Sequence, residues 1–132
     1  MSFKNLFITI LCASMISLFG CVSRTAPLLN YPASPVVTAS GKTDIAKVKK
    51  AIILGGTRAG WQMQPGKDGY ILGSLFEKGT MAKVDITYSA DTYTITYKHS
   101  SNLLYNGTEI HKQYNEWVEN LHNAIRAELA KI

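Results

Sequence analysis

The stretch Lys83-Val84-Asp85-Ile86-Thr87-Tyr88-Ser89-Ala90-Asp91-Thr92-Tyr93-Thr94-Ile95-Thr96-Tyr97-Lys98 decides the fold. Apolar and polar residues alternate on both sides of Ala90-Asp91, the period of a strand with one buried face. Folding 83–88 onto 93–98 sets Tyr88 opposite Tyr93, Ile86 opposite Ile95 and Val84 opposite Tyr97. Thr87 then meets Thr94, and Asp85 meets Thr96. Apolar residues meet apolar ones throughout, as a one-sided antiparallel sheet requires.

A third strand joins on the amino-terminal side. Turning at Lys78-Gly79 pairs residues 70–77 with 80–87 and puts Ile71, Gly73 and Leu75 on the same core face. Gly73 falls beside Val84, where a missing side chain lets a helix come close. Trp61-Gln62-Met63-Gln64 is read as the start of this strand, interrupted by a turn or bulge at Pro65-Gly66-Lys67-Asp68-Gly69. The register leaves Tyr70, Leu72, Phe76 and Met81 on the other face, either covered by Trp61 and the loops or open to a partner or a second copy. A three-residue turn would flip the strand and dissolve this patch.

Helices flank the strands. Thr43-Asp44 opens the first, with Thr43 as cap and Asp44 in the first turn, where the dipole favours negative charge. Ile45, Val48, Ile52 and Ala59 share a face. Gly55-Gly56 either marks close backbone approach or ends the helix early, and Gly60 is a stop signal. The last helix is expected from Thr108-Glu109, after the Asn106-Gly107 turn, and its stripe is Ile110, Tyr114, Trp117, Val118, Leu121, Ile125 and Leu129. The fold expected is α+β: a three-stranded antiparallel meander with two helices on one face, in the order α-β-β-β-α.

The chain of 132 residues has room for one such domain, assigned to 43–132. Its net charge of +5 is dispersed, with no basic patch or nucleic-acid motif. Residues 1–20 read as a leader: Lys4 precedes an apolar run from Leu6 to Phe19, about 14 residues and too short to cross a ~30 Å hydrocarbon core. The run ends at Leu18-Phe19-Gly20-Cys21, which resembles the lipobox of bacterial prolipoproteins. That resemblance implies diacylglycerol on the Cys21 sulfur, cleavage after Gly20 and acylation of the new amine. Phe19 is bulkier than the residue usual at its position. With Cys12 lost in the leader, no free thiol or disulfide would remain. Val22 rather than Asp follows the cysteine, which by the family's rule implies sorting to the outer membrane, facing the periplasm.

Residues 21–42 are expected to be the lipidated cysteine and a flexible tether. Pro27, Pro32 and Pro35 lie among Ser, Thr and Ala with no apolar period, and a coil of about 20 residues spans roughly 25 Å. A short docking peptide at Leu28-Leu29-Asn30-Tyr31 is the other reading.

No catalytic constellation is found. His111 and His122 share a helix face but lie about 16 Å apart at 1.5 Å per residue, too far for one metal. Glu119-x-x-His122 is a single step where a di-metal site needs two. Gly55-Gly56-Thr57-Arg58-Ala59-Gly60 follows a helix and lacks the Gly-Lys-Ser/Thr of a phosphate loop. No metal, cofactor or enzyme activity is expected. His99, Ser100, Asn102, Tyr105, Tyr114 and Asn115 form a polar cluster, read either as a structural network or as a ligand pocket.

From Ala51 to Leu121 the chain resembles small lipoproteins of Gram-negative bacteria. The resemblance rests on Gly60-Trp61, the two alternating strands, Ser101-Asn102-Leu103 and Tyr114-Asn115-Glu116-Trp117. It implies a fold and no activity. Two functions are carried forward: a membrane-anchored binding or accessory module for an envelope protein or a second copy, and a binder of a small ligand or glycan such as peptidoglycan. A purely structural envelope role is the third.

Overall fold

The computed structural model describes residues 23–132; the leader, the lipobox and Cys21 lie outside the described residues. The elements are β1 (Thr25–Pro27), β2 (Tyr31–Pro35), α1 (Ile45–Arg58), β3 (Gln62–Pro65), β4 (Tyr70–Glu77), β5 (Thr80–Tyr88), β6 (Thr92–Ser101), β7 (Glu109–His111) and α2 (Lys112–Leu129). The protein is α+β. Its main sheet has five antiparallel strands in the order β2-β6-β5-β4-β3, and β1 pairs with β7 in a separate ribbon.

The expected meander is the centre of that sheet. Tyr88 faces Tyr93, Ile86 faces Ile95 and Val84 faces Tyr97, with a bulge between Lys83 and Val84. On the other side Ile71 faces Ile86, Gly73 faces Val84 and Glu77 faces Thr80. The two-residue turn works because Lys78 and Gly79 both take positive φ, 46° and 79°. Ile71, Val84, Ile86, Tyr93 and Ile95 are completely buried in one core that also takes in both helices.

Four strands, β1, β2, β3 and β7, were not expected, and each corrects the sequence reading. Residues 62–65 form an edge strand of their own, folded back antiparallel on β4 through Gly66–Gly69 rather than leading into it. Trp61, just before it, is buried over Gly73: a Cβ there would meet the Val84 side chain at 2.9 Å and the Trp61 ring at 3.4 Å. The vacancy at Gly73 is thus filled by an indole, not a helix.

The larger correction is the tether. Residues 25–35, expected to stay extended and solvated, form β1 and β2 and complete both sheets. Leu28, Tyr31 and Val36 pack against the core, and Ser34 is buried. Side-chain amides hold the segment: Asn30 accepts the Tyr97 N–H at 2.8 Å, while Asn115 accepts from Leu29 N–H and donates to the Pro27 carbonyl, both at 2.9 Å. The prolines fit because the segment lies along sheet edges, where a missing donor costs no ladder bond.

The helices differ at their ends. Asp44, not Thr43, caps α1, accepting from Ala46 N–H at 2.8 Å, and Ile45 is half-exposed. Gly60 closes α1 with φ of +89°, its N–H on Thr57 and the Trp61 N–H on Gly56, a Schellman motif. The last helix begins at Lys112 rather than Thr108, because 109–111 pair with β1 and His111 caps α2 through its ring Nδ1. No helix among the described residues is long and apolar enough to cross a membrane.

Gly55-Gly56 does not stop α1; it is where α1 meets its neighbours. A Cβ at Gly55 would sit 2.8 Å from the Ile125 Cα and 2.9 Å from the Ala124 carbonyl carbon, backbone that cannot swing aside. At Gly56 the obstacle is the flexible Met63 side chain. Beyond the pair, buried Glu128 of α2 bridges to Arg58 of α1 and to Lys131. In an isolated helix Gly55→Ala would add about 1 kcal/mol of propensity. Here overpacking costs about 1–3 kcal/mol. Urea unfolding of Gly55→Ala should therefore give a lower midpoint than wild type, and a raised midpoint would contradict the close approach.

Candidate functional site

Three surfaces carry the candidate side chains. The first is the sheet face away from the helices. Strand alternation places Leu72, Phe76 and Met81 there with Tyr70, and Phe76 is 59% exposed. Trp61 does not cover them, being buried on the core side. Tyr70 is not free apolar surface: its hydroxyl donates to Asp85, which also pairs with Lys98 at 3.3 Å. That hydrogen bond, then burial and the Asp85 charge, raise the Tyr70 pKa. The face thus has an apolar end (Leu72, Phe76, Met81) and a polar end, where Thr87 and Thr94 hydroxyls meet at 2.5 Å.

The second surface is the expected polar cluster, which the structure divides. His99, Asn102 and Tyr105 line one shallow recess of about 400 Å³ with Tyr97. Asn102 takes φ of 58° and donates to the Gly79 carbonyl at 2.8 Å, tying the recess to the β4–β5 turn. Tyr97 packs against Tyr105 with centroids 4.2 Å apart and planes tilted by 35°. Tyr114 is fully buried beneath, edge-on to Tyr97, and burial drives its phenol pKa strongly up. Asn115 does not join them, being committed to Pro27 and Leu29.

The third surface was not anticipated. His122 of α2 lies between two tyrosines from different strands. Its ring stacks on Tyr31 with centroids 3.9 Å apart and planes at 13°, and its Nδ1 is 3.0 Å from the Tyr93 hydroxyl. Burial, partly relieved by Ser34 and Arg126, pushes the Tyr93 phenol up to about 12, so it stays protonated. A protonated phenol can give its hydrogen to Nδ1 or take one from it; where it donates, the imidazole carries its own hydrogen on Nε2. A groove of about 490 Å³ opens beside this trio, between the end of β2 and the second half of α2. Sequence periodicity cannot find it, because Tyr31 lies in the presumed tether and 91 positions separate it from His122. Its one sequence signal was Leu28, Tyr31 and Val36, apolar residues too frequent for a solvated coil.

Among the described residues no three His, Cys, Asp or Glu side chains come together as a metal centre would need.

Burial first, then the Arg126 charge, lower the His122 pKa; Glu119 pulls the other way, and tyrosines 31 and 93 face the ring from the sheet. The unfolded histidine, with pKa about 6.5, binds its proton before the folded one does. Stability attached to this site is then complete above about pH 6.5 and lost as pH falls through the folded pKa, with a slope no steeper than about 1.4 kcal/mol per pH unit. Chemical denaturation across this window should show the decline in wild type and a flatter profile in His122→Gln. Equal slopes would contradict the part-buried neutral imidazole.

No family model, curated protein or solved structure matches this chain.

Proposed function

We propose that the chain is a lipid-anchored envelope lipoprotein acting as a binding or accessory module, held at the outer membrane through Cys21 and working through the open face of its sheet. The observation that carries this reading is that face itself: helices cover one side of the sheet, while on the other Phe76 is exposed and Leu72 and Met81 are half-buried, with no helix over them among the described residues. Apolar groups gathered on an uncovered sheet face are what a protein contact needs. Lys83 lies on the same side by alternation and has no ion-pair partner among the described residues. An acidic group on the partner would pair with Lys83, so the partner favoured is an envelope protein with acidic and apolar residues.

The folded tether changes the geometry of such an anchor. Thr25, the first residue of β1, comes four positions after Cys21. Four residues reach roughly 14 Å fully extended. Two or three acyl chains on the cysteine would hold the domain against the bilayer surface instead of some distance above it.

A second reading has its own observation, the recess where Tyr97, Tyr105, His99 and Asn102 offer aromatic faces and polar groups to a small ligand or glycan. Peptidoglycan fragments at 100 times their dissociation constant would then stabilise the domain by ~2.7 kcal/mol.

Photo-crosslinking in intact envelopes from a probe at Leu72 or Thr94 should capture one discrete partner. Phe76→Asp should abolish the capture while shifting stability by no more than about 0.5 kcal/mol, as usual for surface changes. Cys21→Ser should release the protein from the membrane fraction. Recovery of monomer alone from both probe positions would sink the docking role, and a thermal shift with peptidoglycan fragments would then favour the recess.

A further inference from the structure

The groove beside His122 has a composition that the open sheet face does not explain. Its polar side chains are Ser34, Tyr93, His122, Asn123 and Arg126, and no carboxylate lines it. Arg126 stands one helical turn beyond His122 and has no ion-pair partner among the described residues. The guanidinium acts on both Tyr93 and His122, lowering each pKa, so it lies close to the pair.

Three local features build the groove around donors. First, β2 carries an irregularity between Tyr31 and Ser34: Tyr31 faces Ile95, yet Ser34 faces Tyr93, three residues spanning what two span on β6. Bulges re-aim side chains, and this one turns Ser34 inward, where it is only 6% exposed beside the Tyr93 phenol. Second, the Tyr93 hydroxyl occupies Nδ1 of His122, which leaves Nε2 as the ring nitrogen open to a ligand; with the phenol donating, Nε2 carries the hydrogen. Third, the stack on Tyr31 and the bond to Tyr93 lock the ring from two strands, so the donor is positioned before any ligand arrives. The remaining wall is apolar, formed by Pro35, Val37, Leu129 and alanines; Val37 is 66% exposed at the rim.

We infer that this groove binds a small oxyanion carried on a short apolar body: a carboxylate or phosphate monoester held by Arg126 with His122 Nε2–H and Ser34, its alkyl part lying along Pro35, Val37 and Leu129. A guanidinium without a protein carboxylate is matched in charge by such a head, and with no carboxylate in its lining the groove offers no opposite charge to a cation. The same chemistry could come from a free metabolite or from a lipid fragment, and the carboxylate and phosphate probes below separate the two heads.

The test uses the full chain in phosphatidylcholine nanodiscs, titrated with hexanoate, hexyl phosphate, acetate and hexylammonium while backbone amide resonances are followed. Hexanoate or hexyl phosphate should shift the amides of residues 33–37 and 122–127 saturably, with millimolar Kd. Hexylammonium should not bind, and acetate should bind more weakly than hexanoate. Arg126→Ala should weaken binding at least about tenfold, Arg126→Lys should recover part of it, and Val37→Asp, a rim change that leaves the core intact, should block the alkyl probes. Saturable binding of hexylammonium, acetate binding as tight as hexanoate, unchanged affinity in Arg126→Ala, or no saturable response to either alkyl anion would each overturn the inference.

Discussion

The structure depends on the capture of residues 25–36 along two sheet edges. Without that segment β6 would present an open row of amides and carbonyls, the usual template for unwanted pairing. The Asn30 side chain takes the Tyr97 amide at 2.8 Å, Val36 N–H reaches the Asp91 carbonyl at 2.8 Å, and Leu28 N–H reaches Thr108 at 3.0 Å. Asn115, from the second turn of α2, grips Pro27 and Leu29. These bonds bring Tyr31 onto His122 and cover Tyr93, so the packing of α2 against the sheet and the groove beside it both follow from the capture.

The centre of the fold was legible in the sequence because its information is local. Each turn is two to four residues long, and a one-residue slip would have moved every apolar side chain to the wrong face. Registers on both sides of β5 could therefore be written from alternation alone, and the uncovered patch of Leu72, Phe76 and Met81 came with them. The edges were not legible. β2 contains Pro32 and Pro35 and a bulge, so it shows no alternation, and its partners lie some 60 residues away. Ile110 fits a helical stripe and a strand equally well; pairing with β1 decides for the strand. Gly55-Gly56 admitted two readings, and only the position of Ala124 and Ile125 selects close approach.

The candidate surfaces divide in the same way. The open face was a corollary of register, whereas the groove at His122 needs a tyrosine from the presumed linker, a second from the hairpin and an arginine from the last helix. The two surfaces suit different tasks. One is an apolar face with a basic edge; the other is a groove with an arginine, polar side chains and an apolar wall. A short connection between Cys21 and Thr25 would hold both near the bilayer if the cysteine is acylated, which joins the localisation proposed for the chain to the geometry of its first strand.

Residue-resolved amide hydrogen exchange on the full chain tests the central claim, that residues 25–36 belong to the fold. Leu28, Leu29 and Val36 should exchange as slowly as Ile86 in the middle of the sheet, opening only with global unfolding. Exchange of these three at the rate of an unstructured peptide, with Ile86 still protected, would restore the flexible tether and remove the wall on which the His122 groove is built.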